Sequence, residues 1–375
     1  MKINKRLIYR TLFVLICIGV LSGAYLMMPS GFQSRQAEGP EVLTELLKMA
    51  EESQPFNPDP YISSTYRPGD PLYEPVLAIQ RERWDIAQKL LQPLVDQGNA
   101  DAMYWLAHIS GGSIYAGKEI ARLFQKSAEL GNPYAALRLD VSSEDCSLYL
   151  RGYCDPKWGE LGRKILQQRA EQGDVKAEYY LLKYDENSSE DVHKKLEKLV
   201  TENAKNHYYQ PLMRMVVDYN DQSYLTYFEK SKELDVEEKK IISKIVMLMV
   251  NNNYSPAILN FVYFNQDLYK EKYLSEVARA SIKINTNPFF CSHYYLEKEY
   301  STRSKIITAA ACSNIVDLMK DDENEDSLGT FKYLLKKNKL SPLTESEDIQ
   351  VKNIASNMLS EMTPMIYIDE MNPRL

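Results

Sequence analysis

Three segments of this chain each align on a single glycine: AQKLLQPLVDQGNADAMYWL on Gly98, IARLFQKSAELGNPYAALRL on Gly131 and GRKILQQRAEQGDVKAEYYL on Gly173. Eleven residues before each glycine stands a small or modest side chain (Ala87, Ile120, Gly162), and eight and seven before it an apolar pair (Leu90/Leu91, Leu123/Phe124, Ile165/Leu166). Four residues after it is always alanine (Ala102, Ala135, Ala177), and eight after it always leucine (Leu106, Leu139, Leu181). The apolar pairs recur at helical spacing and are expected to face a core. The glycine supplies the left-handed backbone that ends a helix, the alanine lets the next helix approach closely, and the leucine closes the core. Each unit therefore reads as helix, tight turn, helix, and the chain as all-α. A fourth unit is expected around His207, with Leu196, Leu199, Val200 and Ala204 upstream and Met215 downstream, although its glycine and alanine are lost. A fifth and weaker one is expected near Asp235.

The runs Gln97-Gly98-Asn99-Ala100 and Glu171-Gln172-Gly173-Asp174, with their flanking alanine and leucine positions, resemble the Sel-one-like repeat family, relatives of the tetratricopeptide repeats, over residues about 80 to 220. The resemblance implies a right-handed α-solenoid of stacked helical hairpins at residues 76–250, in which the helix after each glycine lines a concave face. Residues 251–375 carry Tyr-rich helical segments and read as degenerate repeats or a helical cap. Successive alignment points are 33, 42 and 34 residues apart, and the long middle interval holds Cys146 and Cys154. We therefore expect an insertion there, closed by a disulfide. With Cys291 and Cys312 the even count suggests two disulfides, paired by proximity as Cys146–Cys154 and Cys291–Cys312, one of three possible connectivities. Helix starts are expected at Asn132-Pro133, Asp155-Pro156, Ser255-Pro256 and Ser341-Pro342, and Thr344 with Glu347 has capping-box spacing.

The first ten residues carry Lys2, Lys5, Arg6 and Arg10 and no acid, and Thr11 to Gln33 contains no charge. We read residues 11–28 as a transmembrane signal anchor, with residues 1–10 as its cytoplasmic basic flank. A cleaved signal peptide, cut after the small residues Ser22 and Ala24, is the alternative. The anchor places the rest in the periplasm, as a single-pass inner-membrane protein. Residues 29–75 hold a short helix at 41–52 and then six prolines between Pro55 and Pro75, which is expected to form a stiff extended spacer. The exported part carries 41 Lys and Arg against 52 Asp and Glu, so it is acidic. That balance disfavours nucleic acid and favours a basic partner.

No constellation supports catalysis. Gly112 to Lys118 has the spacing of a phosphate-binding loop, but Glu119 stands where a serine or threonine must hold magnesium, and no strand precedes it. The four histidines, His108, His193, His207 and His293, lack metal-ligand spacing, and no nucleophile elbow or Cys-x-x-Cys is present. We expect no cofactor, metal or small-molecule substrate. Tyrosine is abundant at 27 of 375 residues. Tyr104, Trp105, Tyr134, Arg138, Tyr179 and Tyr180 follow the aligned glycines and are residue types that anchor interfaces, so they are the candidate protein-binding set. The resemblance extends to exported Sel-one-like proteins that act as immunity proteins against type VI secretion toxins, notably phospholipase effectors. It implies a protein partner of that kind, or else an envelope scaffold that recruits other proteins.

Overall fold

The computed structural model describes residues 40–53, 56–110, 117–183, 190–220, 236–258, 277, 280–284, 302–320 and 326–373. Helices α1 to α5 are Pro40–Glu52, Tyr73–Gln80, Trp84–Asp96, Ala100–Ile109 and Gly117–Glu129. Helices α6 to α10 are Pro133–Arg138, Glu144–Leu148, Pro156–Glu171, Val175–Lys183 and Glu190–Lys205. Helices α11 to α15 are Gln210–Asn220, Val236–Asn251, Arg303–Lys320, Ser327–Lys337 and Glu345–Ser360. The described residues are all-α. Each helix packs on the next from α2 to α6, α6 packs on α8, and the succession continues to α12, while α13 packs on both α14 and α15.

The aligned glycines are the corners. Gly98, Gly131 and Gly173 have φ of 85°, 99° and 92°. At each corner two backbone bonds close the helix end: Gly98 N–H to Val95 O and Asn99 N–H to Leu94 O, with the same pair at Gly131 and Gly173. This pattern satisfies carbonyls that the helix end leaves orphaned. The residue after each glycine then caps the following helix, Asn99 accepting from Ala102 N–H at 2.9 Å, Asn132 from Ala135 N–H at 2.8 Å and Asp174 from Ala177 N–H at 3.0 Å. Ala102, Ala135 and Ala177 are fully buried. Gly162 is also required by contact: a Cβ there would sit 2.9 Å from both Leu137 Cγ and the Pro133 carbonyl, where α8 crosses α6.

His207 holds the fourth corner at φ 60° with the same two backbone bonds. The fifth corner is Asn253, at φ 58°, again with both bonds. It has Ile242, Ile245 and Val246 upstream and Ala257 four residues on, all buried. A further unit is therefore centred on Asn253, and the one expected near Asp235 lies outside the described residues. Asparagine tolerates left-handed backbone, so it can stand in for the glycine that marks the other corners.

Four further expectations need correction. Of the apolar pair before each glycine only the second member is deeply buried in the first three units (Leu91, Phe124, Leu166), while Leu90 is 40% exposed. Residues 56–72 are not a free spacer. The prolines keep this stretch out of a helix, but Asn57 N–H donates to Asn251 O at 2.6 Å, Ser63 Oγ to Asn252 O at 2.7 Å, and Asn253 Nδ2 to the carbonyls of Asn57 and Asp59 at 3.0 Å each. Ser341-Pro342 starts no helix; α15 begins three residues later, where Thr344 and Glu347 form the capping box. Ser255 is already helical and does not precede its helix as a cap. Asn132 and Asp155 cap α6 and α8 as expected.

Cys146 and Cys154 are bonded across the insertion between α6 and α8, with Cα atoms 6.0 Å apart. Cys312 is buried and disulfide-bonded, and Cys291, its expected partner, lies outside the described residues. The basic flank and the expected anchor at 11–28 also lie outside them. Among the described residues no helix is long and apolar enough to cross a membrane.

Candidate functional site

The chain's own last segment lies across the candidate aromatic set. After α15 the chain runs through residues 362–369 without helix, turn or bend, and Met365, Ile366, Ile368, Asp369 and Glu370 are buried. Ile366 and Ile368 join the core of the first three units, while Met365 joins that of the fourth and fifth.

The segment is gripped along its backbone. Thr363 and Met365 N–H donate to Lys283 O and Ile284 O at 2.7 and 3.1 Å. Ile366 N–H donates to Ser64 Oγ at 2.8 Å, and its carbonyl accepts from Thr65 N–H at 2.8 Å. Tyr73 Oη donates to Pro364 O at 2.8 Å. The Gln80 carboxamide reads both polarities, its Nε2 donating to Met365 O at 3.0 Å and its Oε1 accepting from Tyr367 N–H at 2.8 Å. Gln210 Nε2 donates to Tyr367 O. Farther along, Tyr104 Oη donates to Glu370 O at 2.5 Å, and Arg138 Nη2 reaches the same carbonyl at 3.5 Å.

Two acids end the segment, in different surroundings. Asp369 accepts from Lys176 Nζ at 3.1 Å and from Tyr208 Oη, and its other oxygen accepts from Met371 and Asn372 N–H at 2.9 and 2.7 Å. Burial pushes its carboxyl up, but Lys176, Tyr208 and the Asn372 amide outweigh burial and hold it below the usual carboxylate range. Burial lowers the Lys176 ammonium, and Asp369 more than reverses that. The ammonium also lies 4.7 Å from the Tyr208 ring centre and 5.9 Å from that of Tyr134. Glu370 accepts from the Tyr66 hydroxyl at 2.5 Å, and burial leaves its carboxyl raised despite the charge of Lys176. Burial and the nearby Asp369 charge raise Tyr180 and Tyr208 well above a free phenol.

The candidate residues thus divide. Tyr104, Arg138 and Tyr180 bond to the segment, the last through Asn372 Nδ2 at 2.6 Å. Trp105 acts one step away, its Nε1 donating to Tyr66 Oη at 3.2 Å. Tyr134 faces Lys176, and Tyr179 stacks edge-on against Tyr180 with ring centres 5.4 Å apart. All five aromatics are buried. Gln80, Lys176, Tyr208, Gln210 and Tyr66 complete the site and are absent from the sequence-based set. The one sequence signal for the segment is Met365-Ile366-Tyr367-Ile368, a strand-like run in a helical chain. Adjoining this site at Tyr73 and Pro364, a cavity of about 520 Å³ lies between α2 and the C-terminal helices, lined also by Arg81, Arg83, Leu77, Leu318 and Leu359.

Among the described residues no cluster of His, Cys, Asp or Glu could hold a metal. No family model, curated protein or solved structure matches this chain.

Proposed function

We propose that this chain is a non-catalytic protein-binding ectodomain, built as a right-handed α-solenoid of the Sel-one-like type and held in the periplasm by an N-terminal anchor. In this reading it binds and neutralises a secreted toxin, a phospholipase-type effector of type VI secretion. The observation that carries the protein-binding reading is the grip on an extended polypeptide. The face formed by α2, α4, α6, α9 and α11 engages a chain through main-chain carbonyls and amides, with tyrosine hydroxyls and carboxamides as the reading groups. Such a face is suited to receiving protein, since main-chain groups are common to every partner and apolar contacts add the affinity. The five repeated corners support the solenoid reading, and the acidic balance supports encounter with a basic toxin.

The test is co-expression of the ectodomain with a secreted toxin encoded by a neighbouring gene, where one exists, in the periplasm of a sensitive host. We expect protection, and retrieval of the toxin from native envelope by the soluble fragment from about residue 30. Absence of protection by a folded wild-type ectodomain would remove the immunity reading in favour of an envelope scaffold.

A further inference from the structure

Most of the side chains that bond to the tail meet it at main-chain groups that another chain could supply. Pro364 O, Met365 O, Tyr367 N–H, Tyr367 O and Glu370 O are main-chain groups, so Tyr73, Gln80, Gln210 and Tyr104 accept any sequence able to lie extended there. Selectivity comes from two other features. The backbone at 365, 366 and 368 carries apolar side chains into buried sites, and the carboxylate at 369 meets Lys176 and Tyr208. The face thus specifies an extended strand of the pattern apolar, apolar, any, apolar, acid. An element serving only to join two apolar cores would have no use for a partly buried ammonium aimed at its carboxylate, and leaving such a charge unpaired is costly.

The tail also has the arrangement of a tethered ligand. It leaves α15 through the exposed residue Glu361, and its near end is held by only a few bonds before the gripped stretch begins. A short tether gives such a segment an effective concentration on the order of millimolar. A competing strand must exceed that advantage, which a folded protein can do by adding contacts outside the face.

We propose that this face is a binding site for an extended acidic segment of a protein partner, that residues 363–372 are its resident occupant, and that the partner's segment displaces them. The inference rests on the protein-binding reading above and deepens it by naming the chemistry of what is bound. It also separates two kinds of recognition. The acidic exterior suits a basic partner surface, whereas the face takes an acid-bearing strand.

The experiment uses the full ectodomain with a protease site placed at the exposed Ser360-Glu361, so that the tail can be cut while docked. A fluorescent peptide of residues 362–375 is then added in excess. We expect saturable exchange into the nicked protein with unchanged helical circular dichroism, and at least 30-fold weaker binding of a peptide carrying Asp369→Lys. The uncut protein should bind the peptide far more weakly than the nicked one. The inference is overturned if the nicked protein stays folded but refuses the peptide, or if Asp369→Lys makes no difference. It is also overturned if loss of the cut tail unfolds the helices, because the tail is then a part of the core and not a ligand. The readout keeps the two ideas apart: a chain that protects a host yet refuses the peptide overturns this inference alone. One that takes the peptide and does not protect overturns the immunity reading alone.

Discussion

The first three helical units and the last two turn their corners in the same way with different residues. Gly98, Gly131 and Gly173 adopt left-handed backbone without a steric cost, whereas His207 and Asn253 hold the same conformation with a Cβ, at roughly 1–2 kcal/mol for the histidine and less for the asparagine. The two sets also differ on the outside. In the first units the first member of each apolar pair is partly or largely exposed, as Leu90 is, while its equivalents Leu199 and Ile245 are buried. The cause is α1, which lies on α10 and α12 and places Leu46 in their core, with Glu45 paired to Lys205 at 2.7 Å and Glu51 to Lys244 at 2.8 Å. Residues 56–72 extend the same cover to the Asn253 corner. The later units thus tolerate less favourable corners because a second layer encloses them. Repeat sequence is kept where a unit must stand on its own neighbours.

The largest expected effect breaks this contrast at equivalent sites. Leu199→Ala should destabilise by about 2–5 kcal/mol, the cost of a buried leucine, while Leu90→Ala should stay within about 0.5 kcal/mol, as for a surface change. Urea unfolding of both variants measures it, and equal losses would mean that α1 does not cover the later units.

A smaller effect sharpens the comparison at the corners. Gly131→Ala should cost about 1–2 kcal/mol through its left-handed backbone, whereas His207→Gly should leave stability within about 1 kcal/mol of wild type, relieved strain offsetting the greater freedom of the unfolded glycine. Thermal unfolding compares the two. A larger loss at His207 would show that its ring, which lies 3.3 Å from Tyr209 Oη, holds the corner in place of the backbone.

The smallest effect concerns the segment that spans both sets. Glu370 is raised when docked, so its contribution is favourable below the ordinary carboxyl range and is lost as pH rises through the shifted value. Asp369 is lowered, so its contribution is present above the ordinary aspartate value and is lost only as pH falls through the lower one. Glu370→Gln should therefore raise the melting temperature slightly near pH 7, and the gain should vanish near pH 4. A gain that persists in acid would point to packing and not to charge.

Much of the helical half was legible from residues alone. The glycines, the alanines four residues on and the capping residues act within one turn of chain, so their spacing carries the geometry. The disulfide of the insertion was legible for the same reason. The Asn253 unit was missed because its marker residue changed identity while its conformation stayed the same. The cover by residues 40–72 and the docking of the tail left no periodic trace, since both depend on pairings such as Ser64 with Ile366 and Tyr73 with Pro364, nearly three hundred or more residues apart. Aromatic composition pointed to the face on which residues 363–372 lie, and it carried no sign that the chain covers that face itself.

Those distant pairings also order events in time. During synthesis the helix pairs can form as they emerge, because their contacts are local and close quickly. The segment that spans the two cores is made after every described helix it joins, and its partners at Ser64, Thr65, Tyr73 and Gln80 are among the earliest of the described region. A nascent chain therefore carries an open, polar-lined face until residues 363–372 have emerged, and its closure is a single long-range step. Products that stop before residue 363 would leave that face exposed for good.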